Sequence, residues 1–436
     1  MNNNSFIKLT LIIWAIGIPF HAVASSVITE EEAVHMALGN NPSLAAMHSR
    51  SEAMRHIPSQ AGSLPDPVLS LNVLSLPTDS FSTTQENMTQ MQVGLAQTIP
   101  FPGKLGLREQ AAHYESDSAR FDSDEMRLAI ARNVHTAWWN LFYLDRAISV
   151  VKRNQTLLRQ FVKIAETKYK TGQGLQSDVL LAQVELSKLL DIGIALKASR
   201  QNQTARLNAL INRPIESPVE LPEQANEQLP RPPSIEELRT QAIDSRPLLA
   251  SQRSKKMAAD SRIDLAEKDY YPDFTLAGGY GYRRGINPAT SRTRPDLTSI
   301  SLSMTLPLYA RGKQSQGVAQ RKAEAATEQF RLIDQVNAVK SEISSALADY
   351  HASHDRASLF KTGIIPQASQ SVASMMASYQ VNKVDFLNLV RAQITLYNYE
   401  TEYWKAVSTG WQAWARLEAA VGKKITQEES KELFHE

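Results

Sequence analysis

The sequence contains the same unit twice, a little over 200 residues apart. Pro42 and Pro67 fall on Pro247 and Pro272 when the segment Thr29–Leu71 is matched with Ser234–Leu276 at an offset of 205. Further along, Thr98–Phe101 matches Thr305–Leu308 at an offset of 207, and Tyr169 and Ala182-Gln183 match Tyr379 and Ala392-Gln393 at 210. Unrelated helical segments would share Ala and Glu, but they would not share prolines in the same order. The chain is therefore a duplication, and both halves are expected to fold as variants of one unit.

Each half has the pattern of a helix, a strand, a loop, a strand, a long helix, a break and a helix. The predicted helices cover residues 29–62, 104–170 and 175–212 in the first half and 234–269, 313–380 and 384–421 in the second. A Pro- and Glu-rich stretch, Arg213 to Pro233, joins the halves. We therefore divide the chain into a signal peptide (1–24), a first repeat (25–222, with a β-hairpin at 67–99), a linker (223–233), a second repeat (234–425, with a β-hairpin at 272–306) and a tail (426–436).

The predicted long helices require an elongated shape. At 1.5 Å per residue the helix 313–380 would be about 100 Å long, which no compact domain needs. In the helix 384–421, the residues Leu387, Val390, Ile394 and Tyr397 alternate at spacings of three and four, as in a coiled-coil seam. The shorter helices 29–62 and 175–212 together match the length of one long helix. We expect two short helices to stack end to end beside each long helix.

The predicted strands alternate between apolar and small polar residues. In the stretch 298–306, Ile300, Leu302 and Met304 lie on one face, and Ser301 and Ser303 lie on the other. This period of two suits a wall between lipid and water, but for a single strand it fits a half-buried soluble hairpin better. An open four-stranded sheet cannot lie in lipid, because its edges would be unsatisfied, and closure takes about eight strands or more. Several chains would have to pool their strands, two to reach eight or three to reach twelve.

The N-terminus has the features of a secretory signal at 1–24. Lys8 precedes an apolar stretch, Leu9 to Phe20, and Ala22-Val23-Ala24 offers a cleavage site before Ser25. A short membrane anchor is the alternative interpretation, but the apolar stretch is too short to span a bilayer, and no later stretch approaches ~20 apolar residues. The chain is expected to be exported, and any membrane crossing would be made by β-strands.

Composition and motifs exclude several classes of function. The chain has no cysteine, which excludes disulfides, thiolate metal sites, a cysteine nucleophile and a lipid anchor on cysteine. Its net charge of +2 is spread along the sequence, so no nucleic-acid partner is indicated. Gly103-Lys104 lacks the earlier glycine of a phosphate loop, and His351 and His354 imply no third metal ligand. We expect no enzyme activity, no cofactor and no bound metal.

Several stretches resemble the outer-membrane factor family of efflux channels, typified by TolC. They are the two helix starts with Asn41-Pro42 and Arg246-Pro247, the Leu64-Pro65-Asp66-Pro67 segment, the run Gln97 to Lys104, the Tyr-x-x-Gly segment at Tyr169 with its counterpart at Tyr379, and the paired Ala-Gln segments. The resemblance covers nearly the whole mature chain and implies a mainly α fold with a membrane β-barrel. It implies a homotrimer whose twelve-stranded barrel in the outer membrane continues into an α-helical barrel in the periplasm.

The resemblance also implies partners and a cargo. Such a channel passively conducts substrates that are delivered by an inner-membrane pump of the resistance-nodulation-division type through a periplasmic adaptor, a membrane fusion protein. The Leu-Pro-Asp-Pro and Ile-Pro-Phe-Pro-Gly-Lys wording is most similar to the branch that exports heavy-metal cations. The alternative is a periplasmic coiled-coil adaptor with soluble hairpins and no membrane barrel; the duplicated hairpins favour the channel.

By the same resemblance, functional roles fall on three groups of residues near the breaks between helices. The adaptor would contact two tips, Thr171, Gly172, Gln173 and Gly174 in the first repeat and Val381, Asn382 and Lys383 in the second. The gate would consist of Ser177, Asp178 and Tyr379, with Lys383 in place of an arginine that is missing at Val384. The pore constriction would fall on Asn388 and Arg391, where the family has a ring of aspartates, so a constriction that attracts cations is not indicated.

Overall fold

The computed structural model of the protein describes residues 27–425. The predicted signal peptide at 1–24 and the tail at 426–436 lie outside the described residues. The helices are α1 (Glu30–Asn40), α2 (Pro42–Arg55), α3 (Ile57–Gly62), α4 (Lys104–Lys170), α5 (Gln176–Leu210), α6 (Ile235–Ser245), α7 (Pro247–Lys268), α8 (Gln314–Leu359), α9 (Ile365–Gln380) and α10 (Phe386–Val421). Within residues 27–425, no helix combines the length and the apolar character needed to cross a membrane.

The helices predicted at 29–62 and 234–269 are wrong as continuous helices. α1 ends where Asn41 precedes Pro42, and α6 ends where Arg246 precedes Pro247; both residues have extended backbone, with ψ at 121° and 119°. The proline ring pushes the residue before it out of the α region, whereas proline itself is well placed in the first turn of the next helix. His56 separates α2 from α3 in addition. Each predicted helix is therefore a chain of shorter ones that can change direction along the long helix.

Each repeat contains one long helical path, along which the shorter helices pack. α4 has the predicted bounds and 67 residues, about 100 Å at 1.5 Å per residue. The helix predicted at 313–380 occupies almost this range, but a π turn at Phe360–Ile364 divides it into α8 and α9. Pro366 explains the turn, because its missing N–H and its ring are incompatible with a regular i−4 bond to Thr362. A π turn at such a place lets the backbone amides near the proline form hydrogen bonds that a regular α-helix could not provide.

The strands form one antiparallel sheet in the order β1 (Val68–Leu74), β2 (Gln90–Ile99), β3 (Phe274–Tyr282) and β4 (Leu297–Met304). Both predicted hairpins are confirmed, although β4 ends two residues before the predicted Leu306. The pairing of β2 with β3 joins the two repeats. On the apolar face the side chains of Leu69, Leu71, Ile300 and Leu302 are largely exposed in the single chain. The alternation predicted for the strands is therefore present in the sheet.

The register of the two hairpins corrects one part of the sequence match. Val68 lies opposite Ala96 in the first hairpin, and Thr275 lies opposite Ser303 in the second, 207 positions later on both strands. The matches of Leu71 with Leu276 and of Pro67 with Pro272 at an offset of 205 are therefore wrong by two residues, because Leu69 occupies the position of Leu276 and Pro65 that of Pro272. The segment from Pro247 to Thr275 is two residues longer than the equivalent segment from Pro42 to Val68.

The core lies between the helices in three clusters of buried side chains. The largest surrounds Trp138, Trp139 and Phe142 of α4 and includes residues of α1 and α10. A second joins α6, α8 and the end of α10, and a third lies near the tips. The predicted linker is packed against this core. A Cβ at Gly410 of α10 would lie 2.6 Å from Leu229 Cδ1, so any larger residue there would force the Leu229 side chain of the linker to shift.

Candidate functional site

The breaks between the helices form two tips with the same geometry. Between α4 and α5, the amide of Gln173 donates to the carbonyl of Lys168 at 2.8 Å; between α9 and α10, the amide of Lys383 donates to the carbonyl of Ser378 at 2.9 Å. Gly172 and Asn382 have left-handed backbone, with φ at 73° and 59°. Glycine and asparagine adopt this conformation most easily, which is why they end the two helices.

The predicted adaptor-contact residues lie together at the ends of these tips. Thr171, Gly172 and Gln173 are exposed in the first tip, and Val381, Asn382 and Lys383 are exposed in the second. Gly174 is the exception, since a Cβ there would lie 2.9 Å from the Lys168 Cβ. Thr171 and Asn382 form side-chain hydrogen bonds with the C-terminal end of α4; the other exposed tip residues form none within the described residues. Their role in binding an adaptor stays a prediction.

Lys168 connects the two tips, and the sequence did not reveal this role. Its Nζ donates to the carbonyl of Tyr379 at 2.6 Å and to the Oδ1 of Asn382. The same ammonium group lies 4.3 Å from the centre of the Tyr379 ring, a cation–π distance. Lysine in the last turn of a helix commonly binds free carbonyls. The position of Lys168 therefore indicated that it could bind a carbonyl. The sequence did not identify the partner, which lies 211 residues later in the chain.

Tyr379 is buried beside the tips, and its hydroxyl group stands out. The ring is 5 % exposed and packs 5.2 Å from the ring of Phe386. Among residues 27–425 the hydroxyl has no hydrogen-bond partner. Burial raises the pKa of Tyr379, and the nearby Asp178 carboxylate raises it further. The hydroxyl is therefore a buried protonated donor that a single chain leaves unsatisfied, so the predicted bond to Asp178 stays a prediction.

Asp178 lies in the first turn of α5 near two other charged groups. The pKa of Asp178 is raised, chiefly by burial of its carboxyl group and further by the Asp385 carboxylate. The hydrogen bond from the Leu175 amide and the charge of Lys168 offset part of this shift. Ser177 is exposed next to it. Lys383, predicted to replace the missing arginine, is exposed and makes no side-chain hydrogen bond within the described part of the chain. In one chain Lys168, rather than Lys383, is the cation that contacts Tyr379.

The predicted pore residues lie one helical turn apart on α10. Asn388 and Arg391 are both exposed, whereas Leu389 and Val390 between them are buried in the core near the tips. Arg391 makes no ion pair among the residues that the structure describes. The predicted constriction is therefore a polar, positively charged strip on the free face of α10. Over residues 27–425 the structure also contains no group of three or more His, Cys, Asp or Glu side chains arranged to hold a metal.

A polar cluster lies at the other end of the long helices, where the sheet joins them, and no sequence signal predicted it. Lys104, the first residue of α4, is 4 % exposed. Its Nζ lies 3.0 Å from Asp273 Oδ1 and 3.3 Å from Asp269 Oδ1. The amide of Phe101 donates to Asp273 Oδ1 at 2.8 Å. These bonds connect the end of the first hairpin to the start of the second.

A comparison with known families finds one match over both repeats. Residues 33–213 and 238–423 match the family described as outer membrane efflux protein. The two matched segments correspond to the two repeats, and the linker lies between them.

Known proteins of similar length and fold agree with this match. The cobalt-zinc-cadmium resistance protein CzcC of Cupriavidus metallidurans is 22% identical over 409 residues, which is 93% of this chain and 92% of CzcC. The outer membrane protein VceC of Vibrio cholerae has a TM-score of 0.76 at 19% identity, over 91% of this chain and 97% of VceC. CusC, whose structures describe transmembrane channel formation, has a TM-score of 0.76 at 15% identity, over 90% of this chain and 92% of CusC.

Proposed function

Because the chain belongs to the outer membrane efflux protein family, we propose that three copies of it form one channel across the outer membrane. Each copy would supply four strands to a twelve-stranded barrel, and the helices would continue as an α-helical barrel in the periplasm. The observation that carries this proposal is the sheet: within residues 27–425 it is open, β1 and β4 are its edges, and its apolar face is exposed. Lipid tolerates such a sheet only after closure.

The test compares the two faces of one strand. Leu302→Arg places a charge on the apolar face of β4 and should destabilise the barrel by about 2–4 kcal/mol if it lies near the middle of the bilayer. Ser301→Arg changes the neighbouring residue on the other face and should leave assembly intact. The measurement is the amount of heat-modifiable trimer, cross-linked in detergent, from the outer-membrane fraction. Equal losses in both variants, or a stable monomer in the soluble fraction of the unchanged protein, would contradict the proposal.

We further propose that the two tips dock onto a periplasmic adaptor that connects the channel to an inner-membrane pump of the resistance-nodulation-division type. Support comes from the exposed residues of both tips, which are connected through Lys168. Gly172→Trp should abolish export and leave trimers in the membrane. Gly172→Ala is the matched control, because it imposes the same left-handed backbone on a side chain without bulk. Normal export by the Gly172→Trp variant would refute the docking role.

We propose divalent metal cations as the cargo. The support is the match to CzcC over nearly the whole of both chains. A channel does not need to bind its cargo tightly, since tight binding would slow release. Deletion of the gene should sensitise cells to cobalt, zinc and cadmium salts, and the unchanged gene should restore growth. Sensitivity to antibiotics with normal metal tolerance would assign the channel to drug export instead.

A further inference from the structure

The cluster at the base of α4 holds the two repeats together inside one chain. We call it the inter-repeat clasp; it consists of Lys104 and Phe101, which follow β2, and Asp273 and Tyr271, which precede β3. Lys104 donates to Asp273 and also to the carbonyl of Tyr271, at 3.3 Å. The rings of Phe101 and Tyr271 stack with their centres 4.5 Å apart. The ion pair of Lys104 with Asp273 and the stacking of the two rings thus fix the end of β2 to the start of β3.

The duplication repeats both sides of this clasp at the free edges of the sheet. The offset of 207 that relates the hairpins places Leu308 at the position of Phe101 and Leu64 at that of Tyr271. It also places Asp66 at the position of Asp273. Gly312-Lys313 at the start of α8 repeats Gly103-Lys104 at the start of α4, at an offset of 209, because the segment from Pro307 to Gly312 is two residues longer than the segment from Pro100 to Gly103. The residues equivalent to Lys104 and Phe101 therefore follow β4, and those equivalent to Asp273 and Tyr271 precede β1.

These repeated groups lack partners in one chain. Lys313 and Asp66 are exposed, and neither forms an ion pair with any group in residues 27–425. Leu308 is 78 % exposed and Leu64 is 51 % exposed. One side offers a cation and a leucine, and the other offers a carboxylate and a leucine. The two sides are complementary in charge and in apolar character.

We infer that β4 pairs with β1 of a second copy of this chain in the register of the β2–β3 pair, and that Lys313 binds Asp66 of that copy. In the β2–β3 pair Ala96 lies opposite Ala277; the offset of 207 turns this pair into Ser303 opposite Ser70 of the next copy. The same register places Met304 opposite Leu69, both on the apolar face. Leu308 would then contact Leu64 of the next copy. This inference rests on the proposed function, because it assumes that copies close a barrel edge to edge.

Cysteine cross-linking tests the register, and the chain has no cysteine of its own. Ser303→Cys combined with Ser70→Cys should join neighbouring chains into covalent dimers and trimers on mild oxidation of outer membranes. Opposite residues have Cβ atoms about 5 Å apart and a shift of two residues moves them to about 7 Å, whereas a disulfide needs about 4 Å. Ser301→Cys with Ser70→Cys should therefore cross-link far less. Ala96→Cys with Ala277→Cys is the control at the equivalent position within one chain, where the disulfide joins no second chain.

A charge exchange tests the ion pair. Lys313→Glu and Asp66→Lys should each lower the temperature at which the trimer dissociates, and the double variant should restore it. Efficient cross-linking only at the shifted position, or no restoration by the double variant, would overturn the inference. If the unchanged protein forms trimers in either case, the proposed channel stands. If it forms no oligomer at all, the proposed function fails together with the inference.

Discussion

The first repeat carries its long helix α4 without a break from Lys104 to Lys170, whereas the second reaches the equivalent tip through α8, a π turn and α9. Both paths span the same number of residues, and both end in a left-handed residue, Gly172 or Asn382. α4 buries side chains along its whole length, whereas α9 contributes only Tyr379 to the core of one chain. The comparison shows that the duplication preserved where the helices end, while the interior of each helix adapted to its own sequence.

The same contrast holds where each repeat begins its second short helix. Asn41 Nδ2 donates to the carbonyl of Leu210 at 2.9 Å, and at the equivalent position Arg246 Nη1 donates to the carbonyl of Ala420 at 3.0 Å. Arg246 also binds Glu125 of the first repeat at 2.9 Å and Glu342 at 2.8 Å. The backbone anchor is therefore common to both repeats, and the longer side chain adds an ionic link between them.

The largest expected effect on stability comes from removing that ionic link. Arg246 is 6 % exposed, and Arg246→Met keeps much of its apolar volume but leaves Glu125 and Glu342 without their cation. Breaking a buried ion pair from one side costs about 3–5 kcal/mol, and the lower end applies because both carboxylates reach solvent. Asn41→Ala, which removes a helix cap in the first repeat, should cost about 1 kcal/mol. Denaturant unfolding in detergent measures both; equal losses would mean that the link between the repeats is not ionic.

A second prediction introduces a proline into α4 at the position equivalent to Pro366 of the second repeat. Thr156 lies 210 positions before Pro366 and is exposed on α4, so Thr156→Pro tests the backbone with little change in packing. Because α4 has no π turn there, the substitution should destabilise the protein by about 3 kcal/mol, the cost of proline inside a regular helix.

Two controls sharpen this prediction. Thr156→Ala removes the same side chain without affecting the backbone and should be nearly neutral. Pro366→Ala should change stability by less than about 1 kcal/mol, because the π turn already accommodates that position. Hydrogen exchange of the amides at 152–160 should rise in the Thr156→Pro variant alone. If the Thr156→Pro variant is as stable as the unchanged protein, α4 can adopt a π turn too, and its continuity does not depend on its sequence.

Much of this architecture could be predicted from local sequence signals. Gly172, Asn382 and the prolines around the strands fixed the helix ends and both hairpins, because each restricts the backbone at its own position. The resemblance to outer-membrane factors is confirmed by the family match over both repeats. The breaks at Asn41 and Arg246 and the π turn at Pro366 were missed although each involves a proline. The reason is the same for all three: the helical periodicity of the sequence continues across them.

Contacts between distant segments could not be predicted in this way. Lys168 binds the second tip and Lys104 binds Asp273, but sequence spacing does not say which helix ends meet. Only the duplication carries such information, and it does so once one copy of the contact is seen. The hairpin offset of 207 illustrates this, because the paired strands identify it directly, whereas the sequence match gave 205 near the same residues.

The smallest expected effect concerns the gate and compares Tyr379 with its equivalent in the first repeat, Tyr169. Tyr379 is buried with a hydroxyl group that one chain leaves unbonded, whereas Tyr169 is exposed. If the Tyr379 hydroxyl and Asp178 hold the periplasmic mouth shut in the trimer, Tyr379→Phe with Asp178→Ala should raise single-channel conductance in planar bilayers. It should also sensitise cells to large antibiotics. Each bond contributes only about 1 kcal/mol, so the three copies must lose theirs together before opening dominates.

The matched control is Tyr169→Phe, which removes the same atom from the equivalent position of the first repeat and should leave conductance unchanged. Lys168→Met separates the contribution of the lysine at the second tip from that of the Tyr379 hydroxyl. It removes the cation that binds the Tyr379 carbonyl and covers its ring, but it leaves the hydroxyl in place. If Lys168→Met raises conductance and the double variant does not, the mouth is held by the lysine between the tips rather than by the tyrosine hydroxyl. If neither raises it, contacts elsewhere keep the channel closed, and the difference between Tyr169 and Tyr379 is one of packing alone.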